Sequence, residues 1–422
     1  MILPMAVAAD FGGVLWWTQY VSALAVAAAA LLATAVFFDH TAAGNSRRFA
    51  ILLPLGLWAS FAWLLTLQIS PSIVDSLSPA SGQAYTAWIA PFVPPSEMPS
   101  QFPISLDRFG SQHAAAVLTL LIGLVWASLA VFKTRSSTAV FLSVTAVGAA
   151  AHAAFGVYRT INPESNVWDI TMGSGAFGAF VNRNNAALLL NLGMAASLGL
   201  LAWRLTALTG QEVDDPTFEI NDLVALVNDR ESWIGVIGVV FCLTGIMICG
   251  SRGGIVSAIG GILLALGWVR QRRGLMTIPV VAAAIVAGIL FLIVPLQLSL
   301  ESFKSFNLLS GSDHTTLLRD GRFAHWRDGW ETAVAHLPAG SGLSTYAYAY
   351  LPFQQTGSRS WYHHADNLWL EMFTEQGFMG VLLSLWVLAI LLGALNRIGN
   401  SADAIDHGLR VAGWYALGAI LI

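Results

Sequence analysis

Long apolar runs without charge are the feature of this sequence that most restricts its fold. About 20 consecutive apolar residues are needed for a helix to cross the hydrocarbon core of a bilayer. Only 10% of the 422 residues are charged, against about 25% in soluble domains. The chain is therefore predicted to be an all-α polytopic membrane protein. The uncharged runs are Phe11–Phe38, Phe49–Val74, Ala114–Phe132, Asn184–Trp203, Ser232–Ser251, Leu275–Leu300 and Gln376–Asn396.

These seven runs and three further segments predict ten membrane spans. The first run follows no basic segment and is longer than a signal-peptide core, so we expect it to be retained as a span. The last ends at Ile422, too short to cross, and we expect the natural chain to continue. Three regions follow: helices in 1–297, an outer loop in 298–366 and helices in 367–422. The predicted spans are 13–38, 49–70, 113–132, 138–158, 184–203, 233–250, 253–269, 276–297, 367–395 and 409–422.

Basic residues cluster in alternate loops between these spans. The positive-inside rule places such loops in the cytoplasm, and alternation places the N-terminus and the intervening loops outside. The loop 204–232 is predicted inside although it is rich in acidic residues, which count little in that rule. The basic residues concerned are Arg47, Arg48, Lys133, Arg135, Arg270, Arg272, Arg273, Arg397 and Arg410.

The outer loop 298–366 is too long to be a simple connector, and long loops usually carry function. Apolar residues within it recur at spacings of three and four, which predicts a helix over 321–338. One interpretation is an amphipathic helix at the membrane interface, with its tryptophans at headgroup depth. The sequence PAGSG at 338–342 would end this helix. The apolar residues are Phe323, Trp326, Trp330, Val334 and Leu337.

Four charged patches fall on the predicted outer side. An arginine at membrane depth is expensive and is a functional-site candidate by default, although one arginine at a helix end commonly just reaches for the interface. Several arginines with few acids near them in the sequence indicate an anionic ligand, because guanidinium groups match phosphate oxygens. The patches contain Arg183, then Arg252, then Arg319 with Arg322, and finally His363, His364 and Asp366.

The histidine pair stands directly before the span 367–395. Histidine suits general-base chemistry because its unperturbed pKa is about 6.5. Asp366, two residues after His364, could orient one of its ring nitrogens. The alternative is that His363 and His364 are ordinary solvated loop residues.

Taken together, four motifs resemble the O-antigen ligase family. They are "FVNRNNAALLL", "SRGG" opening a span, "GRFAHW…PAGSG", and "HADNLWLEMFTEQG" closing the outer loop. The resemblance covers about residues 170–395, and the order, spacing and topological side of all four motifs agree. The family includes lipid A-core:O-antigen ligases, O-antigen polymerases and bacterial O-linked oligosaccharyltransferases.

The resemblance implies a GT-C-like transferase of the bacterial inner membrane that acts at its periplasmic face in cell-envelope (lipopolysaccharide) biosynthesis. It would move a glycan from undecaprenyl pyrophosphate to an acceptor hydroxyl on lipid A-core, a second glycan or a protein. Carried over by position, Arg183, Arg252 and Arg322, with Arg319 nearby, would hold the pyrophosphate. A histidine of the last motif would be the base.

This chain departs from one common family pattern, His-x-His-Asn, because Asp366 replaces the second histidine. We therefore expect His364 to be the base, with His363 as the alternative. The resemblance gives supporting roles to Asn182, Asn184, Asn367, Glu371 and Glu375. The position of Asn367 at the start of the span 367–395 also predicts that it is the N-cap, accepting from an amide near Leu370.

Metal-dependent sugar transferases usually need an acidic pair near the diphosphate. The adjacent acidic pair of this chain, Asp214 and Asp215, is predicted on the cytoplasmic side. We therefore expect inverting transfer without metal or cofactor, and partners limited to the lipid-linked donor, the acceptor and membrane lipids, with no nucleic acid. The alternative from another class is a transporter of an anionic lipid or solute, but inverted repeats typical of transporters are not evident.

Overall fold

The structure is a computed structural model that describes residues 16–39, 50–94, 96–132, 134–162, 176–209, 220–271, 321–355, 361–398, 401 and 403–421. These residues are mostly helical and contain no strand, only two isolated bridges. The chain is therefore an all-α membrane protein. Its α-helices are α1 Trp16–Asp39, α2 Leu52–Leu64, α3 Pro71–Leu77, α4 Pro79–Ala84, α5 Arg108–Val131, α6 Arg135–Ile161, α7 Arg183–Thr209, α8 Ile220–Asn228, α9 Ser232–Ile248, α10 Arg252–Gln271, α11 Gly321–Ala335, α12 Tyr346–Tyr350, α13 Leu368–Ile398 and α14 Ala404–Leu421.

A described helix lies at nine of the ten predicted spans, and the tenth, 276–297, falls outside the described residues. Among the described helices, α5, α6, α7 and α13 are long and apolar enough to cross a membrane. Helix α6 continues without interruption through the buried His152. Helix α14 begins before Arg410, which is buried in it at 3% exposure rather than lying in a basic loop.

The chain divides into two compact units. Unit 1 comprises Met1–Ala25, Val131–Ser310 and Gly393–Ile422, and unit 2 comprises Val26–Ala130 and Gly311–Leu392. The sequence boundaries at 297 and 366 do not coincide with these divisions.

Helix α7 is the centre of unit 1. In the most apolar 18-residue stretch of α7, 78% is buried, against 17% in the corresponding stretch of α13. Small residues allow helices to approach closely, and Gly193 of α7 packs against Ala149 of α6 and Cys242 of α9. The Tyr415 hydroxyl donates to Asn191 of α7 at 2.9 Å, so a buried polar contact joins α14 to the same helix. Cys242 and Cys249 are buried and free.

In unit 2, the segment 65–107 packs against residues 336–345. The Leu106 amide donates to the Ser341 carbonyl at 3.0 Å, and the Ala339 amide donates to the Leu77 carbonyl at 2.9 Å. The Ser111 hydroxyl donates to the Leu343 carbonyl at 2.6 Å. These contacts join two segments that the sequence assigns to the same side of a membrane, and that assignment stays a prediction.

The PAGSG segment inserts into a kink of α13 instead of only ending α11. Gly377 has φ 55° and ψ −147°, a conformation that interrupts the helix. The interruption frees the carbonyls of Thr374 and Glu375, which accept from the amides of Ser341 and Gly342 at 3.0 and 2.8 Å. The Phe378 amide in turn donates to the Pro338 carbonyl at 3.0 Å. We call residues 338–342 the strap, because it ties α11 to α13 through backbone hydrogen bonds.

Candidate functional site

His364 forms a hydrogen-bonded pair with Glu371 at the start of α13. Its Nδ1 lies 2.9 Å from Oε1 of Glu371, and the second carboxylate oxygen accepts from the Ala365 amide at 2.9 Å. The carboxylate therefore fixes both the imidazole and the backbone beside it. With Nδ1 directed at Glu371, Nε2 is the ring nitrogen left for proton transfer.

The start of α13 explains why Glu371 reaches the loop. The Asn367 side chain accepts from the amides of Trp369 and Leu370, both at 3.1 Å, so Asn367 is the N-cap that its position predicted. The first turn then carries Glu371 beside the free amides of the helix N-terminus, where a negative charge is favourable. Asp366, with φ 51°, completes the reversal that folds the loop back over this turn.

Glu371 also tunes the histidine. Its hydrogen bond is the largest cause that raises the pKa of His364 above the usual value, while partial burial acts in the opposite direction. Asp366 contributes only the smallest of the charge effects. We had expected Asp366 to orient the ring, and the structure instead gives this contact to Glu371, seven residues after His364.

His363 points elsewhere. Its ring lies against Trp361, with centroids 6.0 Å apart, and its side chain is exposed. The two adjacent histidines thus differ in their surroundings, since one meets a carboxylate and the other an indole.

Helix α11 contacts the loop 361–366, which we call the histidine loop, through two of its side chains. The Trp326 indole donates to the Ala365 carbonyl at 2.8 Å, and Nε2 of His325 lies 3.3 Å from the His364 carbonyl. The His325 ring stacks on Tyr362, with centroids 4.1 Å apart. Burial is the main cause that lowers the pKa of His325, so at neutral pH this ring is an uncharged packing partner.

The orientation of α11 differs from a simple interfacial helix. Its buried residues include His325, Asp328 and Thr332, whereas Trp330 and Val334 are 57% and 49% exposed. The polar face therefore packs into the folded outer segment, and part of the apolar stripe faces outward. An apolar groove of about 490 Å³ runs between Trp326, Trp330 and the α13 residues Leu370 and Phe373. This groove begins at Asn367, directly beside the histidine loop.

Two of the predicted arginines begin neighbouring helices in unit 1. Nη1 of Arg183 lies 3.6 Å from the position that a β-carbon would take on Gly250, in the hairpin that leads into Arg252. The Ser251 hydroxyl donates to Asn184 at 2.8 Å, which joins the starts of α7 and α10. Both arginine side chains are exposed. Two adjacent helix N-termini and two guanidinium groups make this a suitable place for an anion.

The supporting residues have defined local roles. The Asn182 side chain accepts from the Asn184 amide at 2.8 Å and so caps α7. Glu375 is 5% exposed, and its carboxylate accepts from the Tyr346 amide at 3.0 Å, which holds α12 against α13. Arg322 lies in the first turn of α11, and Arg319 falls outside the described residues.

Sequence reasoning missed His325, Asp328 and the tyrosines around them. His325 occurs in the motif "GRFAHW", but the apolar spacing of this segment predicted that a different face of the helix was buried. A polar residue recurring at helical spacing, as 325, 328, 332 and 336 do, was the available signal.

Residues 237–385 match a family model described as O-antigen ligase. The matched segment contains the Arg252 hairpin, α11, the strap, the histidine loop and the first half of α13, while Arg183 precedes it. No curated protein matches the chain. The resemblance inferred from the four motifs is thus confirmed over this segment.

Proposed function

We propose that this chain, which carries an O-antigen ligase domain over residues 237–385, is an inverting glycosyltransferase of the bacterial inner membrane. The donor is a glycan on undecaprenyl pyrophosphate, and the acceptor is a hydroxyl group presented at the periplasmic face. The observation that carries this proposal is the His364–Glu371 pair at the top of an apolar helix. A histidine oriented by a carboxylate, with its second nitrogen available, is an arrangement suited to a general base.

In the reaction, the acceptor oxygen attacks the anomeric carbon of the first sugar, and its proton passes to Nε2 of His364. The bond between the anomeric carbon and the pyrophosphate oxygen breaks, with inversion of configuration. Glu371 stabilises the imidazolium that forms, because its carboxylate is hydrogen-bonded to Nδ1. The leaving group needs charge neutralisation rather than protonation, since pyrophosphate is already a stable anion.

Arg183 and Arg252 supply that neutralisation in the proposal, with Arg322 and Arg319 as further contacts. Guanidinium donors preorganised around a developing negative charge stabilise the transition state more than water does. The exposed side chains at two helix N-termini support this role. In the proposal the arginines and the base act on one bound carrier, because proximity of the reacting groups supplies much of the rate.

The lipid chain of the carrier has a candidate place in the groove between α11 and α13. Its walls are aromatic and aliphatic side chains, and its upper end meets Asn367. An isoprenoid chain in this groove would bring the attached pyrophosphate to the level of the histidine loop. The exposed Trp330 and Val334 extend the apolar surface toward the membrane.

The test is a transfer assay with purified protein and a lipid-linked glycan, offering lipid A-core, a second glycan or a protein as acceptor. We expect transfer to one acceptor class, and we expect it to persist in EDTA because arginines replace the cation. Turnover that is lost on chelation and restored by magnesium would contradict the metal-independent mechanism. Absence of transfer to all three acceptors, with carrier binding intact, would contradict the proposed function.

A further inference from the structure

A cavity of about 180 Å³ lies in unit 2 at the end of α11 that is remote from His364. Its walls come from two segments of the chain, 80–106 and 336–353. Ala84 and Ala87 belong to the first segment, whereas Ala349 and Phe353 belong to the second. His336, directly after α11, forms part of the lining. The mechanism described above uses none of these residues.

His336 presents an unsatisfied hydrogen-bond acceptor in this region. Its side chain is 1% exposed, and Nδ1 donates to the Thr332 carbonyl at 2.8 Å. Nε2 consequently carries a lone pair, and it is buried without a hydrogen-bond partner among the described residues. Burial is the main cause that lowers the pKa of His336, so the ring is neutral at physiological pH. Leaving a buried polar atom unpaired is unfavourable, and a ligand hydroxyl would remove that cost.

The lining restricts the chemistry of such a ligand. His336 is the only ionisable side chain among the lining residues, and the other polar side chain is the amide of Gln83. The Phe353 ring meets the His336 ring edge to face, with centroids 6.1 Å apart. A neutral, hydroxylated ring fits this combination of an aromatic wall, small alanines and one bare acceptor. The volume equals about six liquid waters and is below the roughly 300 Å³ typical of drug-sized pockets.

We propose that this cavity is a subsite for one sugar ring of the glycan chain, with a sugar hydroxyl donating to Nε2 of His336. This inference rests on the proposed function, which makes a glycan the substrate. His325, in contact with the His364 carbonyl, and His336 are about 16 Å apart along the helix axis at 1.5 Å per residue. The subsite therefore holds a sugar distant from the one that reacts, and it favours longer glycans over single sugars.

Two variants and one control test the subsite. Ala87→Leu fills the cavity from an exposed rim position, so the buried core is not disturbed. His336→Phe keeps a ring but removes the acceptor nitrogen. Thr86→Leu is the control, because Thr86 is exposed in the same segment but does not line the cavity. Each protein is given lipid-linked donors with one sugar or several, and acceptors with one sugar or several, and KM and kcat are measured separately.

We expect both cavity variants to raise KM for one of the longer substrates roughly fivefold to tenfold, the value of one neutral hydrogen bond. kcat, the single-sugar substrates and Thr86→Leu should be unaffected. A change confined to the longer donor assigns the subsite to the donor glycan, and a change confined to the longer acceptor assigns it to the acceptor. If Ala87→Leu leaves KM unchanged for both the longer donor and the longer acceptor, the cavity holds water only and the proposal is overturned.

A binding measurement separates this proposal from the proposed function. The oligosaccharide released from the donor by mild acid serves as the probe, and saturation-transfer NMR with detergent-solubilised protein reports its binding without any transfer step. Binding that Ala87→Leu abolishes and Thr86→Leu preserves supports the subsite even if the wild-type protein transfers nothing. Equal binding by all variants would overturn the subsite while leaving transfer intact.

Discussion

The arginine hairpin of unit 1 and the histidine loop of unit 2 hold their functional side chains in different ways. Arg183 and Arg252 are the first residues of α7 and α10, and side-chain hydrogen bonds from Ser251 to Asn184 and from Asn191 to the Gly254 carbonyl join these two helices. His364 instead depends on Glu371, on α11 and on the strap that fills the kink of α13. In the proposed mechanism, the pyrophosphate is therefore bound by side chains at two helix ends, whereas the base is placed by several segments.

This difference predicts different responses to mutation. The arginine side chains are exposed, so the loss of one should weaken binding while leaving the fold intact. The histidine loop is held by backbone contacts that span more than one segment, so changes distant from His364 in sequence should also reach it.

The largest effect is expected for His364→Ala. Removing a general base typically costs 10²–10⁴-fold in rate, while the affinity for the lipid carrier should stay near the wild-type value. Transfer rate and carrier binding are measured side by side. His363→Ala is the matched control and should remain close to wild type, because its ring faces Trp361 rather than Glu371. An inactive His363→Ala with an active His364→Ala would move the base by one residue.

Arg252→Ala should produce the next largest effect. Loss of a charge-assisted contact to phosphate is worth about 1.5–3 kcal/mol, or roughly 10- to 100-fold in carrier affinity. The measurement is carrier affinity as a function of salt, together with turnover. Arg252→Lys is the control that keeps the charge but not the planar fork. Unchanged affinity in Arg252→Ala would remove this hairpin from the carrier site.

Gly377→Ala tests the dependence of the histidine loop on the strap. A β-carbon at this position, with φ 55°, would collide with the Pro338 carbonyl, and the backbone conformation itself is strained for alanine. We expect a loss of about 1–3 kcal/mol in stability, read as a lower Tm and reduced transfer. Gly253→Ala, where a β-carbon meets nothing within 4 Å, should leave the Tm unchanged. An equal change in Tm in the two variants would contradict the stronger dependence of the histidine loop on distant segments.

Glu371→Gln should change the pH dependence with a smaller effect on the maximal rate. The carboxylate raises the pKa of His364, and the base acts in its neutral form, so transfer rises with pH through that pKa. Removing the charge lowers the pKa and moves the acidic limb of the kcat/KM profile to lower pH. Asp366→Asn is the control and should shift the limb less, because its charge effect on His364 is the smallest. If the acidic limb of the kcat/KM profile does not shift in Glu371→Gln, this carboxylate does not influence the base.

The sequence predicted the parts of this molecule that depend on local patterns. Uncharged apolar runs gave the positions of the helices, and the asparagine before Leu368 predicted the N-cap of α13. Arginines at helix starts were equally visible, since a helix end and a guanidinium can be read from neighbouring residues.

The remaining parts depend on contacts between distant segments. Asp366 is nearer to His364 in sequence, but the helical turn that starts at Asn367 brings Glu371 to the ring instead. The apolar stripe of α11 gave no sign that His325 and Asp328 are buried, because their partners come from the tyrosines of α12 and the following loop. The strap was predicted only as a helix stop, since its partner is a kink in another helix.

The central claim is that the arginine hairpin and the histidine loop act on the same carrier molecule. The direct test is a carrier with a photoreactive group on its first sugar, irradiated in the bound state and followed by mass spectrometry of the labelled peptides. We predict labels on both the hairpin around Gly253 and the loop 361–366, each suppressed by excess unmodified carrier. Labelling of one region only, with the other untouched at saturating carrier, would contradict the account.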